Sequence, residues 1–214
     1  MSLKSDCLHY LGYKGQKISA QLSLIIDECL LECQELASPR HIYDKFCLHK
    51  HNNCVYLNKT VQLSGSSINN HLKNCDECYV MAVTLGERLN KKIAYYQYHN
   101  LTKATVLDAC ASAYIELICD DITEEIAQQQ CQKNKFITSR FSPGYGDLPL
   151  TIQQSLIDLL QADIKIGLFV NNYNLLFPRK SVTAVIGVSN TTSNDENLKC
   201  KNCSLVNCQY RKEC

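Results

Sequence analysis

The segment RFSPGYGDLP, Arg140 to Pro149, places a cation, two glycines, two prolines and a tyrosine within ten residues. Glycine lets the backbone take positive φ and approach a ligand closely, while Pro143 and Pro149 fix φ, so the loop is preorganised. Arg140 offers a planar fork that holds a carboxylate through two parallel hydrogen bonds, and Tyr145 offers a flat face and a hydroxyl. Together these groups suit an amino-acid carboxylate joined to a cationic or aromatic moiety. A tight surface turn with an exposed arginine has the same composition, so the loop alone does not decide.

A second group with chemical potential is the run Cys200, Cys203, Cys208 and Cys214, spaced CxxC-x4-C-x5-C. Four thiolates at this spacing can enclose tetrahedral zinc or an iron–sulfur cluster, and ligand type leaves both open. Cys75 and Cys78 form another CxxC; at a helix start such a pair would have a lowered pKa. A solitary CxxC in a chain with 14 cysteines is more often incidental, and no function is assigned to it. The scattered histidines His41, His49, His51, His71 and His99 read as surface or capping residues. Cys29, Cys110 and Cys119 read as small buried hydrophobes on helices.

The elements that must position these residues follow from periodicity. Ile18, Leu22, Ile25, Ile26, Leu30 and Leu31 recur at helical spacing between Gln16 and Leu36, ending before Ser38-Pro39. HIYDKFCLHKHNNCVYLNKTVQL reads as a strand pair around a turn. Ser66 to Lys73 and Cys75 to Asn90 read as short helices, the second running through Tyr79, Val80, Ala82, Val83 and Leu85. Leu101 to Gln130 is the longest helical pattern, with Ala104, Leu107, Ala111, Tyr114, Ile115, Ile118 and Ile122 as its stripe. After the loop come a helix, Thr151 to Leu160, and strand-like runs at Ile164 to Val170 and Ser181 to Val188. This order indicates α+β rather than a regular βαβ repeat.

RFSPGYGD resembles the Arg-x-x-x-Gly-Tyr motif of the activation (reactivation) domain of cobalamin-dependent methionine synthase, particularly its short stand-alone relatives. KIGLFVNNYNLLFPRKSVTAVIG, with Pro178, Ser181, Val182 and Thr183, resembles the strand, turn and strand that follow the loop in that family. TLGERLNKKIAYYQYHNLTKATVLDACASAYIE resembles its long helix, with Glu116 where that helix bears a glutamate about one and a half turns before a polar end. The resemblance covers roughly Leu11 to Gly187.

It implies a twisted antiparallel sheet with flanking helices that binds S-adenosylmethionine: Arg140 on its carboxylate, Glu116 on its ammonium, the backbone at Ser142 and Gly144 along the ligand, and Tyr145 near the sulfonium or adenine. It also implies reductive methylation of cob(II)alamin, with an electron donor such as flavodoxin or ferredoxin. The chain has no Asp-x-His-x-x-Gly corrinoid motif, so the cobalamin is expected on a partner, a methionine synthase or related corrinoid protein. The family's additional N-terminal aspartate has no clear counterpart; Asp6 is nearest by position. Asp120, Asp121, Glu124 and Glu125 crowd the Glu116 helix and read as an ordinary solvated face. The alternatives are a non-enzymatic S-adenosylmethionine sensor and an iron–sulfur redox activator of a corrinoid protein.

Composition narrows the classes further. The 214 residues carry 22 basic and 21 acidic side chains, net +1, so no strong field steers the chain onto nucleic acid or an anionic membrane. The N-terminus lacks an uninterrupted apolar signal region and no run reaches the roughly 20 apolar residues of a span. A cytoplasmic protein with mostly reduced thiols is expected. The organisation expected is an activation-like domain over 1–188, a polar linker over 189–199 and a Cys-rich metal-binding tail over 200–214.

Overall fold

The computed structural model describes residues 2–51 and 54–191. The cysteine tail, Cys200 to Cys214, lies outside the described residues, as does most of the linker. In chain order the helices are α1 (Leu3–Tyr10), α2 (Ala20–Leu36), α3 (Ser66–His71), α4 (Glu87–His99), α5 (Leu101–Cys131), α6 (Gln153–Leu160) and α7 (Ala162–Ile166). The strands are β1 (Arg40–His51), β2 (Cys54–Leu57), β3 (Val61–Leu63), β4 (Cys75–Thr84), β5 (Phe136–Ile137), β6 (Phe169–Val170), β7 (Leu176–Phe177) and β8 (Ser181–Ser189).

Six strands form one antiparallel sheet in the order β3-β2-β1-β4-β8-β5, and β6 and β7 form a separate hairpin. The fold is α+β, with helices against both faces. On one face Tyr79, Met81 and Val83 of β4 and Ala184, Ile186 and Val188 of β8 pack beneath α1, α2, α4 and α5. On the other, Cys78, Val80, Ala82 and Val185 meet α3, α6 and α7. This period-2 division is what a strand buried on both faces must show.

It also explains the reading that fails. Cys75 to Thr84 is the central strand, not a helix. Because both faces of β4 are covered, the apolar residues run on without polar alternation, and such a run does not distinguish a buried strand from a buried helix. Cys75 and Cys78 therefore sit on a strand, and burial pushes the Cys75 thiol up to about 11 and the Cys78 thiol higher still. The expected lowered pKa is reversed. Ile164–Ile166 is likewise helical, within α7, so the expected strand there shrinks to Phe169–Val170.

Other expectations hold. The segment after Pro39 forms β1, β2 and a further short strand β3. α5 is capped by the Asn100 side chain, which accepts from the Lys103 backbone N–H at 3.0 Å. Its 31 residues run about 46 Å, across the sheet and past the Arg140 segment. Cys29, Cys110 and Cys119 are at most 1 % exposed. Among the described residues no helix is long and apolar enough to cross a membrane.

Candidate functional site

Arg140 does not follow a helix directly. It lies just beyond β5, where the chain runs against β8. Ile137 pairs with Val188 and Phe141 with Val185; residues 138–140 thus lie opposite only 186–187, one extra residue, which is the signature of a bulge. The ladder is kept on both sides: the Thr138 N–H donates to the Gly187 carbonyl at 2.9 Å, and Phe141 and Val185 exchange two hydrogen bonds of 2.9 Å. The bulge sends Arg140 toward α5 on one face and Phe141 toward the α3–α6 layer on the other.

On the α5 face the guanidinium is 11 % exposed. It donates to Glu116 Oε2 at 2.6 Å, to Asp120 Oδ1 at 2.7 Å and to Thr123 Oγ1 at 3.3 Å. These partners sit at i, i+4 and i+7 of one helix face. Burial works against the Arg140 charge, but Glu116, Cys119 and Asp120 outweigh it and raise its pKa. Burial in turn pushes the neighbouring Cys119 thiol up to about 12. The structure thus brings Arg140 and Glu116 together. It also corrects the solvated-face reading of Asp120 and Glu125: Asp120 pairs with Arg140, and Glu125 accepts from the Tyr43 hydroxyl at 2.7 Å.

The same face of α5 continues toward the start of β8. Lys180 Nζ meets Asp108 Oδ1 at 2.9 Å and Ser112 Oγ at 2.9 Å. Asp108, Ser112, Glu116 and Asp120 follow one another at i+4 steps, with Lys180 at one end and Arg140 at the other. Beside this polar strip, residues 181–184 of β8 pair with β4 but have no strand partner on the β5 side among the described residues. Val182 packs on the α5 side, whereas Thr183 turns to Gln153 of α6 on the other face; the Ser181 hydroxyl donates to the Pro178 carbonyl and is hydrogen-bonded with Thr84 Oγ1. A cavity of about 250 Å³ opens at the Lys180 end, lined in part by Asn90, Asp108, Phe177 and Arg179. It is separated from Glu116 by the eight residues after Asp108, about 12 Å of helix.

The rest of the motif belongs to the opposite face. The Tyr145 N–H donates to the Ser142 carbonyl and the Gly144 N–H to the Leu148 carbonyl, at 3.0 and 2.8 Å. Gly144 and Gly146 adopt φ of +89° and +54°. A Cβ at Gly146 would stand 2.5 Å from Ser67 Oγ, so the loop presses on α3 there. Asp147 fastens that contact: its carboxylate accepts from the Ser66 and Ser67 backbone N–H groups and from the Ser66 hydroxyl at 2.6 to 2.9 Å. Those bonds, the Ser66 hydroxyl foremost, hold the Asp147 carboxyl well below the usual carboxylate range. Tyr145, 54 % exposed, packs edge-on against Phe141 at 6.1 Å. His71 braces the segment through the Ser139 carbonyl and Thr138 hydroxyl, both at 2.9 Å.

Arg140 and Glu116 thus converge, whereas Ser142, Gly144 and Tyr145 form a turn seated on the other face. Asp6 lies on α1, and no contact of it with this group is seen. No protein-family model matches the chain, and no curated protein matches it. Among solved structures it is similar to the crystal structure of the MetH reactivation domain bound to AdoHcy. The TM-score is 0.64 at 12% identity, over 90% of this chain and 78% of that one. The two chains share a fold. At this identity the likeness carries the architecture alone, and it agrees with the twisted sheet and flanking helices implied by the Arg140 motif.

Proposed function

We propose that the chain binds S-adenosylmethionine along the α5 strip beside β8 and supports reductive methylation of cob(II)alamin carried by a separate corrinoid protein. The observation that carries this reading is the Glu116–Arg140 pair: a carboxylate and a guanidinium from distant parts of the chain meet at 2.6 Å on the α5 face beside β8. An acid for an ammonium and a cation for a carboxylate complement the amino-acid end of the ligand. The similar MetH reactivation domain was solved with AdoHcy, which agrees with an adenosyl ligand.

In this reading the protein contributes position. Arg140 orients the ligand carboxylate and Glu116 its ammonium, while the turn of Ser142, Gly144 and Tyr145, seated on the opposite face, holds the segment that carries Arg140. The partner's corrinoid would accept one electron, from a flavodoxin- or ferredoxin-type donor, and the methyl group of the sulfonium, with S-adenosylhomocysteine as the leaving group. By holding the methyl donor in place for that partner, this chain would make the transfer nearly unimolecular. Cys200, Cys203, Cys208 and Cys214 would bind zinc or an iron–sulfur cluster; elemental analysis of the full chain against one ending at Asn197 tests this, and equal metal in both refutes it.

The decisive experiment mixes the protein with a corrinoid protein held as cob(II)alamin, a reductant and S-adenosylmethionine, and follows the return of the methylcobalamin spectrum. Acceleration that is lost in Arg140→Ala supports the proposal. Calorimetric binding without acceleration replaces it with a sensor function, and absence of binding overturns both.

A further inference from the structure

We infer that Cys7 and Cys110 form a reversible disulfide, a peroxide-responsive modification site that ties the N-terminal helix to the long helix. Their sulfur atoms lie 3.2 Å apart, joining positions 103 residues apart in sequence. Both side chains are fully buried, at 0 % exposure. A disulfide brings sulfur atoms to about 2.05 Å, so closure asks for an approach of about 1.2 Å. Both cysteines are free thiols in the structure.

The surroundings separate this pair from the other buried cysteines. Cys29 and Cys33, on α2, share the same core cluster. Burial pushes their thiols up to about 11 and about 12, which suits neutral packing groups. Between Cys7 and Cys110 a hydrogen bond favours ionisation of one partner: it lowers the Cys7 pKa and raises that of Cys110. Either sulfur can be the donor; Cys7, carried by the short α1, is the one that opening of that helix uncovers, so it attacks first and Cys110 resolves.

The oxidant is hydrogen peroxide, small enough to enter a closed core through local opening. Cys7 sulfur attacks one peroxide oxygen, the O–O bond breaks, and a sulfenic acid forms with release of water after protonation. Cys110 sulfur then attacks Cys7 sulfur, and its proton leaves with the hydroxyl as a second water. Two thiols lose two electrons and two protons; one peroxide becomes two waters. Access follows from the fold: α1 has eight residues and Cys7 is its sole fully buried side chain, so local opening of this one short helix uncovers the pair.

The test uses the full reduced chain. Hydrogen peroxide is added to the folded protein, remaining thiols are alkylated in denaturant, and a non-reducing peptide map is recorded. The expected result is a cross-linked peptide containing Cys7 and Cys110, lost on reduction, and a Tm raised by about 10 °C. Cys7→Ala and Cys110→Ala, close in volume to the thiols, should each abolish the cross-link and the Tm shift. A parallel equilibration in glutathione and glutathione disulfide through unfolding and refolding removes the barrier of burial. If Cys7 and Cys110 stay alkylatable in both arms, or pair with other cysteines instead, the inference is overturned.

Discussion

Arg140 meets its two acids across 20 and 24 residues of sequence, and only one of the two was legible beforehand. Glu116 could be placed because the stretch that ends in it resembles the family's glutamate-bearing long helix. Asp120 could not: its side chain is 72 % exposed, and an exposed acid on a helix carries no sign that it reaches a buried guanidinium. The difference matters for binding. A ligand carboxylate that uses Arg140 competes with Asp120, so Asp120→Asn should tighten S-adenosylmethionine binding measured by calorimetry. Arg140→Ala should weaken it by about 1.5–3 kcal/mol, the worth of a charged hydrogen-bonded pair. Unchanged affinity in both variants would take Arg140 out of the ligand site.

Among the elements, α2 and α5 could be read directly from a helical period, and β8, covered on both faces, from its β-branched residues Val182, Thr183, Val185, Ile186 and Val188. β4 is covered on both faces too, but it carries Met81 and Ala82 and its apolar run leads on through Leu85 into α4, so nothing marks it as a strand. The same double coverage makes Gly187 indispensable. A Cβ there would lie 2.5 Å from Cys75 Sγ and 2.9 Å from Leu72 Cδ2, so Gly187→Ala should cost about 1–3 kcal/mol by overpacking, read from denaturant unfolding. At the loop, Asp147 caps the start of α3, and its lowered folded pKa fixes the sign of its pH dependence. Its contribution is complete above the unfolded carboxylate pKa near 3.9 and is lost as pH falls through the depressed folded value. The Tm difference between the native protein and Asp147→Asn should therefore be constant from pH 7 to about 5 and shrink below about 4.

At the scale of the molecule, the α+β class followed from the order of elements and the flanking helices from the family resemblance, but the placement of the motif on two faces followed from neither. A bulge is a matter of register, and register is set by strand partners that local periodicity does not reveal. The consequence is mechanical. The segment from Thr138 to Asp147 is a span moored at both banks, to α5 through Arg140 and to α3 through Asp147, with the β8 ladder as its pier. The first mooring is an ion pair that a zwitterion can exchange; the second is built of backbone hydrogen bonds that no ligand on the α5 side touches. Loading one end should leave the other fast. In hydrogen–deuterium exchange, S-adenosylmethionine should alter protection along 116–123 while the Ser66 and Ser67 amides keep theirs, and loosening of those two amides on binding would show that the span moves as one piece.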